Sequence, residues 1–204
     1  CLMGASCYDS GEGTAEVSAS REGGSNHMSA LVIFFGGQDA SPSDMDKWLN
    51  SARGQQPNME FGAFPWPHGE GQHRAAVTAI TASKADMVYI VGHSSGCAYA
   101  NAVDKALKNT SKVVLVALDG FAPDPTQLKR ASTQVWGAMC GKETSFNFPH
   151  SVPKSNVRIY PATDCYSKWA LHFSLVNEAA TDSLVKNIKS GYEQCRANLS
   201  FLVV

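Results

Sequence analysis

No stretch of this 204-residue chain reaches the ~18 consecutive apolar residues that a membrane-crossing helix needs, so no transmembrane segment is expected. A surplus of either charge is also missing. Lys and Arg number 17 against 18 Asp and Glu, a formal net charge of −1. That balance gives no electrostatic reason to expect nucleic acid or an anionic membrane as a partner. The six cysteines (Cys1, Cys7, Cys97, Cys140, Cys165, Cys195) show no CxxC spacing of the metal-binding kind. His68 and His73 in "PWPHGEGQHR" stand five apart across glycines, without helical periodicity, and read as loop or substrate-rim residues; no metal is assigned. No internal repeat and no second hydrophobic unit appear, which excludes solenoids and arrays.

What is present is 44% hydrophobic residues, enough for one sizeable core. Residues 1–27 are rich in Gly, Ser and Glu and read as a flexible leader or linker, leaving 28–204 as a single domain. The chain begins with Cys1, and "GGSNHM" has the look of a linker, with Met28 a candidate native start. Cys140 and Cys165 lie in loop-like sequence and could be bridged, while Cys97 reads as a small buried hydrophobe. Asn109 and Asn198 begin triplets of the glycosylation type. Together with the cysteines, these favour a secreted or periplasmic location over a cytoplasmic one.

From residue 29 onward, strand-like and helix-like segments alternate. "ALVIFFGG" (30–37), "DMVYIVG" (86–92) and "KVVLVALDG" (112–120) are continuous apolar runs, as expected of strands buried on both faces. "MEFGAFPW" (59–66) reads as a strand stopped by Pro65 and Pro67, and "NVRIYPA" (156–162) as a final core strand. Between them, "SDMDKWLNSA" predicts a helix capped by Ser43, with Met45, Trp48, Leu49 and Ala52 on one face. "GQHRAAVTAITAS" and "SGCAYANAVDKALK" predict two more helices. "PTQLKRASTQVWGAM" suggests another, and "DSLVKNIKSGYEQC" a closing one, with Leu184, Val185, Ile188 and Tyr192 on one side. Strands alternating with helices predict an α/β domain of three layers, a mainly parallel sheet flanked by helices.

"VGHSSGCAYA" (91–100) sets Ser94 between two glycines, after a buried strand and before a helix. In G-x-S-x-G the chain reverses sharply, and Gly92 and Gly96 remove side chains that would collide across the reversal. The serine is then held at the apex, above the carboxyl ends of the strands. The competing reading is a tight turn in which Ser94 only caps the helix.

Through "GHSSG" and its strand–turn–helix setting, the sequence resembles the α/β-hydrolase superfamily of serine esterases and lipases. The resemblance implies an α/β-hydrolase-like fold and Ser94 as nucleophile, followed in the chain by an acid and a histidine. His150 and His172 are the histidines downstream of Ser94. His150, between prolines in "FPHSVP", precedes the last strand at its wrong end. His172, in "WALHFSL", follows that strand at its carboxyl end and is the expected base. Two acids compete. Asp119 in "VALDGFAPDP" is similar in place to the acid of pancreatic-type lipases and is favoured; Asp164 in "YPATDCYSKWALH" sits as in cutinases and is the alternative. Asp124 reads as a turn residue. By the same resemblance, the oxyanion hole would use the N–H of Ser95 and one from "GGQDA", Gly37 or Gln38. That loop lacks the histidine of the family's "HGGG" segment. His93 is expected to point away from the cleft. Trp66, Trp136 and Trp169 could line an acyl pocket, with core packing the expected use of at least two.

The implied activity is hydrolysis of a carboxylic ester, from a small molecule or a lipid, through an acyl-enzyme and without metal or organic cofactor. Thioesterase or acyltransferase chemistry on the same residues, or an inactive binding module of the same fold, are the alternatives.

Overall fold

In the computed structural model, residues 29–108, 111–120, 123–130, 132–177 and 181–187 are described. The leader, Cys1, Cys7, Cys195, Asn109, Asn198 and the Ile188 and Tyr192 end of the closing helix lie outside these residues.

Three buried strands form the centre: β1 (Ala30–Phe35), β3 (Met87–His93, half-buried only at Met87) and β4 (Val113–Leu118), all parallel. Their β-branched and aromatic side chains alternate between two sheet faces, as strand geometry requires. Val32, Phe34, Tyr89, Val91, Val116 and Leu118 face one side. Leu31, Ile33, Phe35, Val88, Ile90 and Leu115 face the other. β2 (Glu60–Phe64) extends the sheet beyond β1, and β5 (Gln134–Cys140) beyond β4. Among the described residues the sheet has seven strands, ordered β2-β1-β3-β4-β5 with β6 (Glu143–Thr144) antiparallel to β5. β7 (Val157–Pro161) runs parallel to β5.

Helices cover both faces. α1 (Pro42–Gln55) presents Met45, Trp48 and Ala52 to the first face, where Trp48 stacks on Phe34 at 4.4 Å. α2 (Glu70–Ala82) and α3 (Gly96–Ala106) pack Ala76, Ile80, Ala100 and Val103 on the second. α4 (Pro125–Leu128) is one turn, and α5 (Lys168–Ser174) returns to the first face through Leu171. Residues 181–187 are helical and bury Leu184 and Val185 there. This mainly parallel sheet between two helical layers is the three-layer α/β class that the sequence predicted.

The chain leaves β1 toward one face and β3 toward the other. Neighbouring strands whose connections diverge in this way open a crevice at their carboxyl ends, where ligands of open α/β sheets bind.

The structure differs from the sequence reading in four places. Ser41, not Ser43, caps α1: its hydroxyl accepts the Asp44 N–H while the Asp44 carboxylate accepts the Ser41 N–H, with Pro42 in the first turn. The helix expected over 125–139 ends at Leu128, and its second half is β5. β4 pairs with Gln134–Trp136 and β7 with Val135–Met139, so β5 is laddered from both sides, and Gly137 suits the close approach of Phe148 and Pro149 better than a helix interior. The strand at 156–162 is not a core strand: among the described residues it pairs with β5 alone, and Arg158 and Ile159 are exposed. The second strand stops at Phe64 rather than reaching Trp66.

Cys140, at the end of β5, is joined to Cys165, in the loop that leads into α5; their Cα atoms are 5.6 Å apart. The bridge closes a loop of 25 residues and ties the start of α5 to the sheet. Closing a loop of this length restricts the unfolded chain by about 3 kcal/mol. Replacing both cysteines by serine is expected to lower the unfolding free energy by about 2–4 kcal/mol in denaturant titrations.

Candidate active site

Ser94 stands at the end of β3 with φ +53°, in the left-handed region that side chains other than Asn, Asp or Gly rarely enter. Two glycines make the reversal possible by close approach. A Cβ at Gly92 would lie 2.6 Å from the Cys97 Cα, and one at Gly96 would lie 2.4 Å from the Phe35 carbonyl oxygen. The turn is locked by the Ser94 N–H donating to the Leu118 carbonyl at 2.9 Å and the Cys97 N–H to Ser94 O at 3.1 Å. Ser94 does not cap α3. The N-cap position is Ser95, and no side chain caps the helix there. Ser94 is half-buried and faces a cavity of about 1050 Å³.

His172 and Asp119 form a buried pair: His172 Nδ1–H donates to Asp119 Oδ2 at 2.5 Å, with the carboxylate fully buried and the imidazole nearly so. Asp119 follows β4 at φ +41°. Its backbone N–H bonds Trp136 O at 2.9 Å, and its second carboxylate oxygen accepts the Asn147 N–H at 2.7 Å. Burial alone would raise the Asp119 pKa. The hydrogen bonds from His172, Asn147 and Ser145 outweigh it and hold the carboxyl below its ordinary value, so the group is an anion. Donation from Nδ1 leaves Nε2 of His172 free to accept a proton, and His172 lines the same cavity as Ser94.

Across the cavity, Gly37 comes so close to Ser94 that a Cβ on it would lie 3.0 Å from the serine Cβ. The loop is fixed by Gly36 N–H donating to Phe64 O at 3.0 Å and by His68 Nε2–H donating to Gly36 O at 2.7 Å. The backbone N–H groups of Gly37, Gln38 and Ser95 have no acceptor among the described residues. Gly37 and Gln38 both line the cavity.

Other candidates fall elsewhere. Asp164 is exposed and accepts the Tyr166 N–H at 3.2 Å, a local turn, while His172 Nδ1 is bonded to Asp119. His150 is exposed and packs on Phe148. Asp124 caps the turn of α4. Trp136 is core, Trp66 half-buried beside His68, and Trp169 is an exposed wall of the cavity. Among the described residues, no cluster of His, Cys, Asp or Glu could hold a metal ion. Cys97 is a free buried thiol beneath the turn, its pKa pushed up to about 12 by burial.

His68 is a loop residue between β2 and α2, but a buried one, hydrogen-bonded to the Gly36 carbonyl. His73, expected in a loop, lies in α2. His93 does not point away. It is buried, lines the cavity and lies with its ring centroid 4.4 Å from that of His172. Asn147 and Ser145, which hold Asp119, carried no local sequence signal, being 28 and 26 residues away along the chain.

No model of a known family matches this chain, and no curated protein matches it. Among solved structures it is similar to a predicted CIB-like hydrolase from Thermoplasma acidophilum, at 15% identity and TM-score 0.45, over 77% of this chain and 86% of that one. It is also similar to a lid-less α/β serine hydrolase from Xanthomonas campestris, at 15% identity and TM-score 0.43, over 76% and 81% of the two chains.

Burial, and then the neighbouring His172, lower the pKa of His93 from 6.5 to about 4. Between these values the unfolded chain binds a proton that the folded chain refuses, so stability falls as pH drops from about 6.5 to about 4, by roughly 3 kcal/mol in all. Denaturant titrations across this range should show that slope, and His93→Phe should remove it.

Proposed function

We propose that this protein is a serine hydrolase that cleaves carboxylic esters through an acyl-enzyme. The observation that carries the reading is the buried His172–Asp119 hydrogen bond of 2.5 Å, which opens onto the same cavity as the strained Ser94. A serine hydroxyl is a weak nucleophile until a base removes its proton. His172 Nε2 takes that proton as Ser94 Oγ attacks the ester carbonyl, and Asp119 stabilises the imidazolium and keeps its ring oriented. The proton then passes to the leaving alcohol. Water attacks the acyl-enzyme with His172 as base again, releasing the acid and restoring Ser94.

Negative charge on the tetrahedral oxygen needs donors already in place. The Ser95 N–H, at the start of the 11-residue α3, adds the positive end of the helix dipole to its hydrogen bond. The second donor comes from the Gly37–Gln38 segment, whose amides have no acceptor among the described residues. The cavity wall carries Phe34, Met45 and Trp48, an apolar surface for the acyl group, and its volume of about 1050 Å³ is at the upper end for small-molecule sites. Exposed Trp169 and Phe173 frame the entrance.

Esters of graded acyl length, assayed with and without a thiol or alcohol acceptor, test the activity and separate hydrolysis from acyl transfer. A fluorophosphonate probe should label wild type and not Ser94→Ala. Ser94→Ala and His172→Ala are expected to abolish turnover. Asp119→Asn should lower kcat by about 10⁴-fold, and Asp164→Asn should retain wild-type activity. An inactive Asp164→Asn with an active Asp119→Asn would overturn the assignment of the acid, and a folded wild type that neither labels nor turns over would overturn the reading itself.

A further inference from the structure

One buried imidazole outside the Ser94, His172 and Asp119 set touches both sides of the cavity. His93 ends β3 and is 3% exposed. On one side, its Nε2–H donates to the backbone carbonyl of His172 at 3.0 Å. On the other, its Nδ1 supports the loop after β1: a Cβ on Gly37 would lie 2.9 Å from it. The ring is therefore wedged between the segment that carries His172 and the segment that carries the free amides.

The bond to the His172 carbonyl meets a specific need. α5 has seven residues and ends at Ser174, so this carbonyl lies in the last turn, where helix carbonyls run out of intrahelical partners. The Val176 N–H is already committed to Phe173 O at 3.0 Å. Packing against α5 comes from Leu171 and Leu175, both buried, and apolar contact is non-directional; it resists separation better than rotation or sliding. A hydrogen bond is directional. A slip of one residue along α5 would displace the His172 ring by about 1.5 Å and rotate it out of reach of Asp119. Displacements of about 1 Å can cost ~100-fold in rate. Burial keeps the His93 ring neutral at ordinary pH, so a ring that donates from Nε2 has no proton on Nδ1, the edge that meets Gly37.

We propose that His93 is a positioning residue: by donating Nε2–H to the carbonyl of His172 while supporting Gly37, it fixes the distance between the imidazole and the loop amides. This rests on the hydrolase reading for its catalytic consequence, but the hydrogen bond itself can be tested without turnover.

Two variants separate donor from volume. His93→Phe keeps a ring and removes the donor, and His93→Gln keeps a side-chain N–H within reach of the same carbonyl. With ester substrate, His93→Phe should lose about 10- to 100-fold in kcat with little change in KM, and His93→Gln should recover most of that loss. In proton NMR, the downfield resonance of His172 Nδ1–H bonded to Asp119 should be sharp in wild type and His93→Gln and broadened in His93→Phe. Long-range ¹H–¹⁵N spectra of wild type should show His93 as the neutral Nε2–H form. An Nδ1–H form would overturn the proposal even if neither variant folds. A wild-type kcat or an unchanged downfield resonance in folded His93→Phe would also overturn it, as would a His93→Gln no better than Phe. If wild type hydrolyses no ester, the hydrolase reading fails, and the spectra alone decide the role of His93.

Discussion

The hydrogen bond between Asp119 and His172 is the constraint around which the site is arranged. A carboxylate with no exposure is costly unless every lone pair finds a donor. Here the donors come from two separate places: His172 on α5, and the segment after β6, through the Asn147 backbone and Ser145. The side-chain amide of Asn147 returns to the Asp119 carbonyl at 3.0 Å, so each segment is held by the other. Removing either partner alone would strand an anion or an imidazole in the interior, so this pair fixes the end of β4 against α5 in one geometry.

Around that pair the backbone is held in unfavourable conformations. Ser94, Asp119 and Asp39 all have positive φ without being glycine, and all three follow sheet strands at the same end. Such residues cost of order 1–3 kcal/mol each and persist only where their surroundings over-determine them. The hydrogen bonds from Ser94 and Asp119 to neighbouring strands, and the absence of side chains at Gly92 and Gly96, supply that determination. Regular sheet hydrogen bonding thus sustains an irregular rim.

Local physics was legible in the sequence; long-range pairing was not. The strands β1, β3 and β4 announce themselves as apolar runs, and "GHSSG" encodes its own turn through two glycines. β5 escaped detection because "QVWGAMC" is short and ambiguous, and its state was decided by the open edges of β4 and β7. The direction of His93 followed from period-two alternation, since it shares a face with Tyr89 and Val91. Which face α1 and α5 would cover is a property of the whole fold, and no residue near position 93 states it. The same holds for His68, whose acceptor lies 32 residues earlier. Between Asp119 and Asp164, chain position alone could not choose; the turn that occupies Asp164 is made by Tyr166, two residues on.

The contacts that assemble the cavity join residues 53 and 79 positions apart, through Asp119 with His172 and His93 with His172. Closing such wide intervals is entropically slow, so they belong to the late stages of folding rather than to its nucleus. During synthesis the Ser94 turn leaves the ribosome before α5 exists, so the half-built chain carries that turn without the Asp119–His172 pair. The cavity that Ser94 and His172 line therefore arrives together with the finished tertiary structure and cannot precede it.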